Sequence, residues 1–195
     1  MKKPICIDGK HYIELLSYGE KHPLGHAAQY ALEYFKLKSV SILEIGVLRG
    51  HNAESLEEAF HPKLMVLVDP WDFCKETHDS NWADTYYRIQ GKQNVIVIKA
   101  KSEDAHKILN PDLKFDYIYI DGDHIGGDLS KGTEEEGIRK DIKLWLPRLA
   151  TGGIIAGHDY NYSNIKTEVH KVFGDRVMSS PYHPNGGMEW WVHDI

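Results

Sequence analysis

Short stretches rich in Val, Ile and Leu recur along this chain, and each is followed by a longer segment with helical spacing. No other feature restricts the fold as strongly. The strand-like runs are Ser39–Gly46 (SVSILEIG), Leu64–Asp69 (LMVLVD), Asn94–Ile98 (NVIVI), Phe115–Asp121 (FDYIYID) and Gly153–Gly157 (GIIAG). They are continuously apolar rather than alternating, as expected of strands buried on both faces of a parallel sheet. Between them, His51–Phe60, Trp82–Gln90, Ser102–Leu109 and Gly137–Leu149 carry helix-compatible spacing, with Ser102 a predicted N-cap ahead of Glu103 and Asp104. Strand alternating with helix predicts a doubly wound open α/β sheet. A length of 195 residues suits one well-cored domain, 1–195.

Two segments depart from that rhythm. Residues 11–36 read as one or two helices broken near Lys21-His22-Pro23, which makes 1–38 a helical cap and 39–195 the core. The tail, from Arg176–Met178 to Met188–Val192, reads as two short strands around a Pro/Gly turn. The sheet is therefore expected to have seven strands, mostly parallel, closed by a C-terminal antiparallel hairpin.

Composition narrows the ligand classes. The net charge is −6 and the basic residues form no dense stripe, which argues against nucleic acid as a partner. No apolar run approaches the ~20 residues that span a bilayer, so no membrane partner is expected. Met1-Lys2-Lys3-Pro4 lacks the apolar stretch of a signal peptide, and Cys6 and Cys74 lack a CxxC spacing. Both features fit a cytoplasmic chain with reduced thiols.

The first strand leads into Glu44-Ile45-Gly46-Val47-Leu48-Arg49-Gly50, where Gly46 and Gly50 allow a tight turn and close approach of a ligand. The pattern is not GxGxxG and no P-loop lysine follows, which disfavours dinucleotides and triphosphates. The second strand ends in Asp69, at about the spacing from Gly46 expected of an acid that takes both hydroxyls of a ribose. Ser102, after the third strand, falls where an adenine ring would lie, although a plain N-cap explains it equally well. The fourth strand runs into Asp121-Gly122-Asp123-His124 and the fifth into Gly157-His158-Asp159-Tyr160. Titratable groups concentrated at strand ends cost desolvation and point to chemistry or a metal.

Together, ExGxxxG, VDPW, FDxIxIDGDH and the run ending GGxIxGHDY resemble class I S-adenosylmethionine-dependent methyltransferases. The similarity is to the branch of sugar and small-molecule O-methyltransferases and cephalosporin-hydroxylase-like proteins, and it spans roughly Ser39 to Tyr160. It implies a Rossmann-like fold and methyl transfer from S-adenosylmethionine to a small hydroxylated acceptor such as a sugar or natural product. By that resemblance Glu44, Gly46 and Gly50 lie along the methionine part of the cofactor, Asp69 on the ribose and Ser102 by the adenine. Asp121 adjoins the cofactor and, with Asp159, would ligate a divalent metal, Mg or Mn. His158 stands where proven metal-dependent relatives carry an acid, so it is a third ligand, a base, or a residue turned away into the sheet. His124 is the leading general base, with an ordinary pKa of ~6.5 suited to a hydroxyl proton. Residues 125–136 are a longer insertion than in relatives, either a lid over the acceptor or a solvated loop. Rival readings are a non-catalytic S-adenosylmethionine-binding subunit and a metal-dependent hydroxylase-like enzyme; homo-oligomerisation stays open.

Overall fold

The computed structural model describes residues 4–7, 11–14, 23–36, 38–72, 78–122, 137–181 and 187–195. In chain order the elements are β1 (Pro4–Ile7), β2 (His11–Glu14), α1 (His26–Phe35), β3 (Ser41–Ile45), α2 (His51–Phe60), β4 (Leu64–Asp69), α3 (His78–Ile89), β5 (Val95–Lys99) and α4 (Ser102–Ile108). They continue with β6 (Phe115–Ile120), α5 (Gly137–Trp145), β7 (Leu149–Gly157), α6 (Ser163–Phe173), β8 (Met178–Ser179) and β9 (Trp190–Val192). The main sheet has seven strands in the order β5-β4-β3-β6-β7-β9-β8. Neighbours from β5 to β7 run parallel, and β9 is antiparallel to both β7 and β8. The expected core and tail hairpin are both present.

Period-two alternation along the strands divides the core into two layers. Ile42, Met65, Leu67, Tyr117, Ile154 and Trp191 face α1 and α2, which bury Ala27, Ala28, Ala31, Ala53 and Leu56 against them. Leu43, Ile45, Val66, Ile118, Ile120 and Trp190 face the other way, onto Ala105 of α4, Ile142 and Trp145 of α5 and Val169 of α6. Both faces of the central strands are covered, which is why those runs are apolar throughout.

The N-terminal expectation fails in part. Only α1 is helical in the described part of 1–38. Residues 4–7 and 11–14 pair antiparallel instead, from Pro4↔Glu14 to Ile7↔His11, as a separate two-stranded sheet. The sequence carried a signal for this, Asp8-Gly9 between two β-prone runs, which a helical reading overlooked. Strand β7 is longer than expected and begins at Leu149, because a 3-10 turn over Leu146–Arg148, containing Pro147, ends α5 early.

The order of strands matters most for function. From β3 the chain builds outward through β4 to β5, then crosses back to lay β6 on the other side of β3. That reversal opens a crevice at the carboxyl ends of β3 and β6, where open α/β sheets bind ligands.

Candidate functional site

Backbone meets backbone at this crevice. Asp121 N–H donates to Ile45 O at 2.7 Å. Gly46 adopts φ +82°, and a Cβ there would lie 2.0 Å from Asp121 O and 2.6 Å from Gly122 N. What Gly46 makes possible is contact between the two strand-end loops. Gly50, φ +73°, precedes α2 and lies against Thr85.

Asp69 organises the loop between those glycines. Its Oδ2 accepts from the N–H groups of Val47 and Leu48, each at 2.8 Å, and its Oδ1 from Trp71 N–H at 2.5 Å. The carbonyl of Leu48 in turn accepts from Trp71 Nε1 and Thr85 Oγ1. These bonds hold Leu48 and Trp71 at φ 50° and 51°, conformations that cost non-glycine residues on the order of 1–3 kcal/mol each and that cluster at functional sites. A carboxylate offers about four acceptor positions, and three are committed to the loop. Asp69 therefore retains capacity for one hydroxyl more readily than for two.

Ser102 departs further from expectation. Lys101 is the N-cap of α4, and Ser102 is its first helical residue. The Ser102 hydroxyl donates to Asp141 Oδ1 and accepts from Trp145 Nε1, so it joins α4 to α5. Its side chain serves the helix contact, and the N-cap reading is corrected.

Glu44 is 1% exposed. Its Oε1 accepts from Asn52 Nδ2 at 3.2 Å, while Oε2 has no hydrogen-bond partner among the described residues. Burial pushes its carboxyl up to about 8; the Asn52 hydrogen bond opposes this, and Asp121 and Asp69 add to it. An unpaired buried acceptor is costly and calls for a donor.

The parallel register Ile120↔Gly157 brings the ends of β6 and β7 side by side. Asp121, His158 and Asp159 consequently converge, each offering a ligand atom within 4.8 Å of the others. His158 Nδ1 lies 2.9 Å from Asp159 Oδ1 and 3.7 Å from Asp121 Oδ1. Burial opposes a charge on this imidazole, but the Asp159 hydrogen bond and the fields of Asp121, Asp159 and Glu189 prevail and raise it to about 9. Without a metal, these neighbours favour the imidazolium form of His158 at neutral pH. Two carboxylates and an imidazole also form a donor set for a divalent cation, and the field that retains the proton would retain the metal.

This pairing predicts a pH effect on stability. The folded value of about 9 lies above the ordinary 6.5, so the stabilisation is complete below pH 6.5 and is lost as pH rises through 9. Thermal unfolding in EDTA should show the decline, and His158→Gln should remove it. A slope unchanged in the variant would assign the decline to other groups.

Residues 187–189 wall the far side. A Cβ on Gly187, φ +78°, would lie 2.8 Å from Asn161 Oδ1 and 3.5 Å from the His158 ring. Glu189, missed in the sequence, accepts from Tyr119 OH at 2.9 Å and from Ala27 N–H at 3.0 Å. It thus caps α1 from a distant part of the chain, and the run Met188-Glu189-Trp190-Trp191 carries no local sign of that partner. Asp123, His124 and residues 125–136 lie outside the described residues.

Known proteins agree with this architecture. A family described as a methyltransferase domain matches residues 43–160, more than half of the chain. No curated protein matches the sequence significantly. Among solved structures, an O-methyltransferase from Bacillus cereus in complex with SAH is similar at TM-score 0.59 and 16% identity, with 89% of this chain and 83% of that one covered. The O-methyltransferase TomG of tomaymycin synthesis from Streptomyces achromogenes, in complex with SAM, gives 0.58 and 14%, covering 86% and 78%. Spermidine synthase from Thermotoga maritima gives 0.57 and 15%, covering 89% and 57%, so the fold alone does not set the reaction.

Proposed function

We propose that this chain, which belongs to the methyltransferase-domain family, transfers a methyl group from S-adenosylmethionine to a hydroxyl of a small acceptor such as a sugar or natural product. The observation that carries this reading is the crevice itself. The strained loop 46–50, bound to Asp69, lies directly against the Asp121 end of β6, and there Asp121 joins His158 and Asp159. Relatives crystallised with SAH and SAM support the choice of cofactor. The bound cofactor would supply an electrophilic methyl group on sulfur, leaving as a neutral thioether.

The chain's own residues do the rest. The loop around Gly46 and Gly50 lets the cofactor approach the backbone, Asp69 accepts from its ribose, and Glu44 underlies its amino-acid end. Aligning the acceptor oxygen with the methyl carbon supplies much of the catalysis, because a bimolecular step becomes effectively unimolecular. Asp121, His158 and Asp159 would hold a divalent ion such as Mn or Mg, whose Lewis acidity lowers the pKa of a nearby hydroxyl. With His158 protonated in the metal-free state, the alternative base is His124.

Among the described residues no helix is long and apolar enough to cross a membrane. We treat 1–195 as one functional domain. A hydroxylase-like reading would need an iron site, and non-haem iron oxygenases use two His and one carboxylate. Among the described residues the donors are one His and two carboxylates.

Chelation tests the metal assignment. EDTA should abolish methyl transfer and Mn or Mg should restore it, while Asp121→Asn and Asp159→Asn should each weaken metal affinity at least tenfold, ~1.4 kcal/mol. Full activity in EDTA with metal-free protein would discard the metal and transfer the base role to His124. The reaction class is tested by following labelled methyl from S-adenosylmethionine into a panel of hydroxylated metabolites. Turnover that requires oxygen and a reductant would overturn it.

A further inference from the structure

Glu44 Oε2 is a buried polar atom beside the crevice that nothing compensates among the described residues. It lies on β3 one strand from Asp121, buried to 1% exposure with its residue and without a hydrogen-bond partner among the described residues. Its twin Oε1 has Asn52 of α2. The titratable groups around it are acidic or phenolic: Asp69 at the end of β4, Asp121 after β6, and Tyr119, its direct neighbour in the sheet register, with Tyr117 and Glu189 beyond. Tyr119 OH is committed to Glu189, and Tyr117 OH, fully buried, also has no partner among the described residues. No cation among the described residues makes a contact with Glu44. At neutral pH a carboxylate so placed is favoured in its neutral form until a cation arrives.

We propose that Glu44 is a proton-exchanging anchor for the cofactor: protonated in the ligand-free protein, it ionises against the ammonium group of the cofactor's amino-acid end and releases its proton to solvent. This deepens the cofactor reading above and rests on it. The balance is simple. One O–H bond on Glu44 breaks, the electron pair stays on the carboxylate, and the proton passes to the buffer. Both S-adenosylmethionine and S-adenosylhomocysteine carry the ammonium group, so both expel the proton. Methyl transfer leaves that group unchanged, and reprotonation of Glu44 accompanies product release. At neutral pH the raised carboxyl of Glu44, about 8, leaves most molecules with a proton to give.

Calorimetry in buffers of different ionisation enthalpy counts the protons. At pH 7 the wild-type protein should release about one proton per S-adenosylhomocysteine bound, falling towards none at pH 9, where Glu44 is already ionised. Methylthioadenosine, which lacks the amino-acid end, should bind without releasing it. The release should disappear in Glu44→Gln, which keeps the shape of the side chain. The pH dependence of wild-type affinity gives the same count without any variant, should Glu44→Gln fail to fold. Binding without proton release, release that persists in folded Glu44→Gln, or equal release with methylthioadenosine would overturn the proposal and leave the cofactor reading standing. Failure of S-adenosylhomocysteine to bind at all would overturn both.

Discussion

Gly46→Ala should eliminate binding of S-adenosylhomocysteine and lower the unfolding free energy by roughly 2–5 kcal/mol, the sum of a left-handed backbone penalty and an overpacking penalty. The expectation is large because neither obstacle can yield cheaply. The added Cβ would meet Asp121 O at 2.0 Å and Gly122 N at 2.6 Å, both backbone atoms. Those atoms are fixed by the bond from Asp121 N–H to Ile45 O. To make room, the β3 and β6 loops must separate, which also moves Asp121 away from His158. Chemical denaturation together with calorimetric titration checks both halves of the expectation. Wild-type affinity in a stable variant would show that the loop contact is not needed for the cofactor site.

The second large effect is expected at Asp69→Ala, which should weaken S-adenosylhomocysteine binding well beyond tenfold, ~1.4 kcal/mol. The loss has two sources. A ribose acceptor disappears, and the N–H groups of Val47, Leu48 and Trp71 lose their shared partner. A buried donor left unpaired costs about 1–3 kcal/mol, and Leu48 and Trp71 are held at positive φ partly by these bonds. The loop should therefore relax even in the ligand-free protein, which hydrogen exchange at Val47 and Leu48 would detect. Unchanged affinity in folded Asp69→Ala would remove this residue from the cofactor site.

Much of the framework was legible because it depends on local burial. Strands β3, β4 and β6 are covered on both faces, so their sequences had to be apolar throughout, and the helices between them carry the matching spacing. The tail hairpin was legible through its turn residues. The N-terminal hairpin was legible only through Asp8-Gly9, because strands of four residues are too short for period two to compete with a helical reading. At the site, the residue types at the strand ends announced themselves, since carboxylates and histidines directly after buried strands are costly without a purpose. Ser102 illustrates the limit of such reading. One serine at a strand end fits a helix cap, an adenine contact or a bond between helices, and only the approach of Trp145 and Asp141 shows that it bonds two helices and is no cap.

By itself, the sequence determined the order of strands and helices in the core from β3 onward, the glycine-bounded loop after β3, and the acids and histidine that end β4, β6 and β7, because periodicity and chain connectivity are local properties. Tertiary structure alone decided how those groups are charged and committed. It closed Asp69 onto three backbone donors, buried Glu44 with one oxygen unpaired, surrounded His158 with Asp121, Asp159 and Glu189, and brought Glu189 to the start of α1. Protonation and hydrogen-bond occupancy depend on distance and desolvation between residues far apart in the chain, and those are set only when β6 packs against β3 and β7.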